Sequence, residues 1–152
     1  MSNKALVVFY SWTGNTKKAA QEIAKILKAE VDEISELKPR KRIFLNWLRA
    51  GRDALFGRTT EIRFKTDPKK YNIVVVGTPV WAGRPVPAIT SYLRINKLTK
   101  VAFFCTCSFS TGRTFKVMEK ISNIPVATLC LKNKQYDKRK IRQFCCTVSK
   151  AF

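Results

Sequence analysis

Residues 5–16 read ALVVFYSWTGNT, and the rest of the chain is best interpreted outward from this stretch. Its first half is an unbroken apolar run, which is typical of a parallel β-strand buried on both faces. Its second half combines hydroxyl and amide side chains with one glycine, and an amphipathic helical pattern follows directly. A buried strand, a polar turn and a helix in this order predict the first unit of an α/β fold.

The same alternation continues along the chain. We predict strands at residues 5–10, 31–37, 71–77, 101–106 and 126–131, and helices at residues 15–29, 88–93, 114–121 and 136–150. Five strands that alternate with helices indicate a doubly wound parallel sheet, for which 2-1-3-4-5 is one of the two common strand orders. We therefore expect an α/β fold with a five-stranded parallel sheet, in one domain that spans residues 1–152.

Charge is the most unusual property of the sequence. The formal net charge is +20, from 30 Lys and Arg residues against 10 Asp and Glu residues. Such a surface attracts acidic proteins, nucleic acid or anionic membranes, and the charge alone does not choose among them. No helix-turn-helix pattern or aromatic-interleaved basic motif supports a specific nucleic-acid reader. No apolar run approaches the ~18 residues that cross a bilayer, so any membrane contact is expected to be peripheral.

The cysteine and histidine counts restrict the chemistry. The five cysteines lie in hydrophobic stretches, and we interpret them as buried, reduced thiols. The start of the chain lacks the pattern of a signal peptide, which makes the cytoplasm the expected location. The absence of histidine excludes Ser-His and Cys-His nucleophiles, and we predict no metal site. Any redox chemistry is therefore expected to belong to a bound cofactor.

The segment 38–70 is too long for a simple connection and carries 11 basic residues against three acidic ones. Its apolar positions fall on one face of a helix: Phe44, Trp47, Leu48, Gly51 and Leu55. One interpretation is a crossover helix that packs this stripe on the sheet. The other is a docking surface for an acidic partner or anionic lipid, and both can hold together.

Three loops follow strong strands and are expected to meet at the carboxyl edge of the sheet, where ligands bind in such folds. The first comprises Ser11, Trp12, Thr13, Gly14, Asn15 and Thr16. Its hydroxyls and the free N–H groups at the helix start can hold a phosphate, and the glycine permits close approach. Its spacing is that of neither a P-loop nor a dinucleotide fingerprint. The alternative is a simple helix-capping cluster.

The second loop spans residues 78–87 and the third spans residues 107–112. In the second, two prolines stiffen the ends and Gly83 permits an unusual backbone conformation. The ring of Trp81 can pack either on a flat heteroaromatic ligand or in the core. In the third, backbone N–H groups can bind a ligand, and the alternative is a serine-rich turn that caps the next helix.

The pattern Ser-x-Thr-Gly-Asn-Thr after the first strand resembles the phosphate-binding signature of flavodoxins, which residues 10–16 match at every defined position. The resemblance implies a flavodoxin-like fold and FMN as cofactor. It implies that the first loop holds the FMN phosphate through Ser11, Thr13, Gly14, Asn15, Thr16 and the backbone of Trp12. It also implies flavin contacts from Thr78, Pro79, Val80, Trp81, Ala82, Gly83, Thr106, Cys107, Ser108, Phe109 and Gly112. Phe109 stands where flavodoxins usually have a tyrosine.

The function implied by the resemblance is electron transfer by bound FMN. Flavodoxins are typically acidic, whereas this chain is strongly basic, so we expect an acidic redox partner such as a ferredoxin-like protein or a reductase. One alternative is an NAD(P)H-dependent quinone or flavin reductase on the same fold. The chain lacks an obvious extra lid for a second ring, which disfavours it. The other alternative is a basic binding module without redox activity.

Overall fold

The structure of the protein is a computed structural model, and it describes residues 4–38, 48–49, 52, 59–133 and 135–152. The strands are β1 (Ala5–Phe9), β2 (Glu30–Glu33), β3 (Ser35–Glu36), β4 (Ile62–Arg63), β5 (Ile73–Trp81), β6 (Arg84–Pro85), β7 (Val101–Cys107) and β8 (Thr128–Lys132). The helices are α1 (Asn15–Leu27), α2 (Pro87–Ile95), α3 (Thr114–Ile121) and α4 (Lys138–Ser149), with a 3-10 turn at Pro68–Lys70.

The central sheet is parallel and has the order β2-β1-β5-β7-β8. Counted over the five principal strands, this is the order 2-1-3-4-5, so the predicted doubly wound α/β architecture is confirmed. The short strand β6 joins this sheet as an antiparallel partner of β5, whereas β3 and β4 form a separate two-stranded antiparallel sheet. The carboxyl ends of β1, β5 and β7 therefore lie side by side, which brings the three predicted loops to one edge.

The strands of the sheet are buried because a core lies on each face. Val7 and Phe9 of β1 point into the cluster formed with α1 and α4. Leu6 and Val8 point into the cluster formed with α2 and Met118 of α3. This alternation explains why β1 is apolar at every position, as a strand covered on both sides must be.

One glycine of the sheet is required by packing. A Cβ atom on Gly77 of β5 would lie 2.0 Å from Cζ of Phe104 on β7. The Phe104 ring is fully buried, so it cannot swing away into solvent. Gly77 therefore leaves the space in which this ring fills the core.

The third principal strand is longer than the sequence indicated. The predicted strand ended at residue 77 and the predicted loop began at residue 78, but β5 continues to Trp81. The reason is that Thr78 and Pro79 pair with Cys105 and Thr106 of β7, and that Val80 and Trp81 then pair with the short strand β6. Much of the expected second loop is therefore strand, and only Ala82 and Gly83 form its turn.

The edge strand predicted at residues 31–37 is divided into β2 and β3. Its apolar residue Val31 is 45% exposed, whereas Asp32 is buried. The Asp32 carboxylate accepts hydrogen bonds from the N–H groups of Lys65 (2.8 Å) and Thr66 (2.7 Å). Both donors reach Oδ2, whereas the buried Oδ1 meets no partner among the described residues, so the lost hydration of the carboxylate is compensated in part.

The basic segment 38–70 precedes β5. Between residues 38 and 58 of this segment, the structure describes only residues 38, 48, 49 and 52. Of the predicted apolar stripe, Leu48 is described and is 50% exposed. Phe44, Trp47, Gly51 and Leu55 lie outside the described residues. In the ranges that the structure describes, no helix has both the length and the apolar character that a bilayer crossing requires.

Candidate functional site

The first loop is shaped by its own residues. Gly14 is the N-cap of α1 with φ 99°, a left-handed conformation that favours glycine. The Oγ atom of Ser11 accepts hydrogen bonds from the N–H groups of Gly14 (3.1 Å) and Lys17 (3.2 Å). A Cβ on Gly14 would meet no atom within 4 Å, so the loop opens onto free space.

The start of α1 has the properties of an anion site. The N–H groups of Asn15 and Thr16 meet no acceptor within the described part of the chain, and the first turn contains no acidic residue. Thr13 and Asn15 are exposed beside them. Lys17 is held aside by an ion pair of 3.0 Å with Glu33. Unpaired N–H groups, hydroxyls and the positive end of the helix dipole together fit a phosphate group.

A buried hydroxyl pair connects the first loop to the third. The Oγ1 atoms of Thr16 and Thr106 are 2.7 Å apart, and both residues are buried. The structure thus brings together two residues that are 90 positions apart in the sequence. The hydroxyl of Thr16 is used to fix the start of α1 against the end of β7.

The second loop is a tight hairpin turn. Ala82 has φ 50° and Gly83 has φ 70°, so both central residues of the turn between β5 and β6 are left-handed. Left-handed central residues are typical of the turns that match the twist of a hairpin. The Thr78 hydroxyl braces this hairpin from behind, since it donates to the Pro79 carbonyl (2.8 Å) and accepts from the Val86 N–H (3.2 Å). Thr78 is fully buried and does not reach the cleft.

The third loop packs directly on the second. The N–H of Arg113 donates to the carbonyl oxygen of Gly83 at 2.7 Å. Gly112 has φ 52°, and a Cβ on it would lie 2.5 Å from the Cα of Gly83. On its other side, the Asn133 side-chain amide donates to the Ser108 hydroxyl at 3.1 Å. The position of the third loop therefore depends on contacts with two other segments.

A cleft of about 590 Å³ lies between the second and third loops, within the range that binds small molecules and cofactors. The predicted residues that line it are Val80, Trp81, Ala82, Gly83, Cys107, Ser108 and Phe109. Three further lining residues were not predicted, namely Leu48, Arg52 and Ser110. Phe109 is 90% exposed, so its ring is free to pack on a ligand.

An aromatic cluster joins the cleft to the first loop. The ring of Trp81 lies edge-on to Trp12, with 4.9 Å between centroids, and edge-on to Tyr10, with 5.9 Å. The sequence interpretation used only the backbone of Trp12. A signal for a role of the Trp12 ring was nevertheless present in the sequence. Trp12 stands between Ser11 and Thr13, two residues that were already expected to face the ligand at the carboxyl edge.

The flavodoxin family model matches residues 4–144 of the chain. The chain belongs to the flavodoxin family. No curated protein sequence matches it. Among solved structures, its fold is similar to that of the Lactobacillus acidophilus flavoprotein in complex with FMN, at 21% identity and a TM-score of 0.76, with 94% of this chain and 99% of that chain covered.

Two further structures share the flavodoxin fold. A candidate flavoprotein of Bacteroides uniformis is 19% identical with a TM-score of 0.81, and 94% of this chain and 97% of that chain are covered. The two-electron reduced flavodoxin of Megasphaera elsdenii is 15% identical with a TM-score of 0.59, and the coverage is 96% and 98%. These likenesses extend over almost the whole of each chain.

The cysteines of this flavodoxin-family protein differ partly from the expectation. All five are free, but Cys146 is exposed and Cys130 is half-buried, so the interpretation that all are buried was wrong. Cys107 lines the cleft, and its Sγ lies 3.3 Å from that of Cys130. Burial and this contact raise the pKa of Cys107 to about 11, partly opposed by Lys132. The thiol is therefore neutral at pH 7 and forms a wall of the cleft.

Proposed function

We propose that this flavodoxin-family protein binds FMN at the carboxyl edge of its sheet and carries electrons between redox proteins. The observation that carries the proposal is the juxtaposition of an anion site with an apolar cleft. The anion site is the start of α1 at Gly14, and the cleft lies between the turn at Gly83 and the loop at Phe109. The contact between the rings of Trp12 and Trp81 connects the anion site to the cleft.

Each part of this edge has a role in holding FMN. The hydroxyls of Ser11 and Thr13 and the N–H groups of Asn15 and Thr16 would hold the phosphate. Phe109 would pack on the flavin ring, whereas Trp81, which is only 9% exposed and belongs to the core, would meet the flavin as part of the cleft wall; Gly83 and Ser108 would border the ring. Bound FMN supplies the redox chemistry, and the protein supplies binding, orientation and exclusion of water.

The proposed redox partner is acidic, because the chain carries a net charge of +20. Opposite charges accelerate the encounter of two electron-transfer proteins. We also propose that the protein acts in the cytoplasm. Five free cysteines, of which one is exposed, are suited to a reducing compartment.

Binding of FMN and of riboflavin, which lacks the phosphate, tests the proposal. Thr13 is exposed, and Thr13→Asp places a carboxylate at the anion site without removing a core contact. We expect the variant to bind FMN on the order of 100-fold more weakly, because the new carboxylate would lie in contact with the doubly negative phosphate. Riboflavin affinity is expected to change by less than about threefold. Flavin fluorescence measures both affinities.

Thr13→Asn is the matched control, because it has a similar size and no charge. We expect Thr13→Asn to bind FMN no more than about tenfold more weakly than the unaltered protein does. A loss of this size corresponds to one neutral hydrogen bond. Failure of the unaltered protein to bind FMN would contradict the proposal. If Thr13→Asp weakened FMN and riboflavin binding equally, the new carboxylate would not act on the phosphate. The phosphate site would then have to lie away from Thr13.

The reductase alternative differs in its use of pyridine nucleotides. The FMN-loaded protein is expected to oxidise NADPH no faster than free FMN, whereas a reductase would show saturable steady-state oxidation. The absorbance at 340 nm measures this rate.

A further inference from the structure

Four basic residues line the cleft or lie next to the segments that form it. Arg52 lines it, and Arg84 follows the Ala82–Gly83 turn and pairs with Trp81. Arg113 follows Gly112, and Lys132 stands opposite Cys107 in the pairing of β7 with β8. We call Arg52, Arg84, Arg113 and Lys132 the cationic rim. Arg84 is half-buried and the other three are exposed.

The cationic rim is not neutralised by the described part of the chain. The ion pair found there, Lys17 with Glu33, involves none of the four residues. Among the described residues that line the cleft there is no Asp or Glu. Near this edge, the carboxylate of Asp137 is engaged by the N–H groups of Arg139 (2.9 Å) and Lys140 (3.3 Å) at the start of α4. As far as the described residues show, the positive charge at the mouth of the cleft therefore has no carboxylate partner.

The centre of this surface is apolar. Phe109 projects into solvent with 90% of its surface exposed, and Val80 and Trp81 form the cleft wall beside it. An exposed aromatic residue within a ring of charges is the arrangement of a protein interface, where a buried apolar centre gives affinity and a charged rim guides association. Strands of nucleic acid are instead held along a continuous basic groove.

We propose that the cationic rim, together with the face of Phe109 that does not pack on the flavin, forms the docking surface for an acidic electron-transfer protein. The inference rests on the proposed function, because docking at the cleft places the partner beside the flavin. The overall charge of +20 draws an acidic protein towards any face, whereas the rim fixes where it stays.

The experiment compares two charge reversals. In the rim variant, Arg113→Glu is combined with Lys132→Glu. In the control variant, Lys69→Glu is combined with Lys97→Glu; both lysines are exposed and precede β5 and β7, at the amino edge of the sheet. The two variants change the net charge by the same amount, so they differ only in the position of the change.

The probe is an acidic plant-type [2Fe–2S] ferredoxin, titrated at low salt into the FMN-loaded protein by calorimetry. We expect the rim variant to bind it at least about tenfold more weakly, and the control variant to lose no more than about threefold. The difference between the variants is expected to shrink as salt screens the charges. Chemical shifts in the nuclear magnetic resonance spectrum of the unaltered protein should move around Phe109 and Arg113.

Equal losses in the two variants would overturn the proposal, since only the total charge would then matter. It would also be overturned if the unaltered protein did not bind the ferredoxin at low salt. A short DNA duplex that binds more tightly than the ferredoxin, and loses affinity only in the rim variant, would assign the surface to nucleic acid instead. FMN affinity, measured separately by fluorescence, reports on the proposed function, so a failure there is distinct from a failure of the rim.

Discussion

The first loop and the pair formed by the second and third loops reach the same edge of the sheet by different means. The first loop takes its turn from nearby residues, the Ser11 hydroxyl and the left-handed Gly14, and only its end is held to a distant strand, by Thr16. The other two are fixed by each other, through the contact between Gly83 and Gly112. An anion site can therefore be encoded locally, whereas the cleft beside it depends on segments that are distant in sequence.

The largest expected effect of a single substitution is at the contact between the second and third loops. Gly112→Ala would place a Cβ 2.5 Å from Cα and 2.6 Å from the oxygen of Gly83, in a left-handed conformation. Since both opposing atoms are backbone, the loops must separate. We expect the free energy of unfolding to fall by about 2–4 kcal/mol. Urea denaturation followed by circular dichroism measures it.

The control for this substitution is Gly14→Ala in the first loop. Gly14 is also left-handed, but a Cβ there meets no atom within 4 Å. Only backbone strain remains, with an expected cost of about 1–2 kcal/mol. Equal costs at the two glycines would mean that the loops do not depend on their mutual contact.

The next effect concerns the local hydrogen bonds of the first loop. Ser11→Ala removes the acceptor of two N–H groups, those of Gly14 and Lys17. We expect a loss of about 1 kcal/mol in the free energy of unfolding, as for other helix-capping side chains. Ser110→Ala, at an exposed position of the third loop, should change it by less than about 0.5 kcal/mol. If the two substitutions were equivalent in thermal melting, the Ser11 hydroxyl would not organise the loop.

A smaller effect, of opposite sign, is expected at the hairpin turn. Ala82 adopts φ 50°, where an alanine is strained and a glycine is not. Ala82→Gly should raise the free energy of unfolding by about 0.5–1 kcal/mol. Lys28→Gly, at a left-handed position that ends α1, should have a similar effect. A loss of stability in Ala82→Gly, measured by the same urea titration, would show that the turn is not strained.

The smallest effect is expected at the ion pair beside the first loop. Lys17 and Glu33 are 48% and 42% exposed, so solvent screens their attraction. Their coupling energy in a double-mutant cycle of Lys17→Gln and Glu33→Gln should be below about 0.5 kcal/mol. A coupling above about 1 kcal/mol would mean that charge pairing helps to shape the loop.

The sequence was sufficient for those features that short patterns determine. The alternation of strands and helices and the turn at Gly14 follow from hydrophobic patterning and one glycine among hydroxyl residues, whereas the strand order was implied by the resemblance to flavodoxins. The resemblance of residues 10–16 to the flavodoxin signature led to the family that the comparison confirmed.

Features that depend on neighbouring segments were not accessible from the sequence. The extension of β5 to Pro79 follows from its pairing with β7, and the inward position of Asp32 follows from donors that are 33 and 34 residues away. Ser110 lines the cleft only because the third loop packs on the second. No local pattern carries this information, since the same residues elsewhere would form ordinary turns.

The hydroxyl pair of Thr16 and Thr106 offers a spectroscopic consequence. A hydroxyl proton that is shielded from water exchanges slowly and gives a resonance of its own. Because this proton lies between the start of α1 and the end of β7, it reports on both at once. A shift of that single line on addition of a phosphate compound would reveal that an event at the first loop is transmitted to the third.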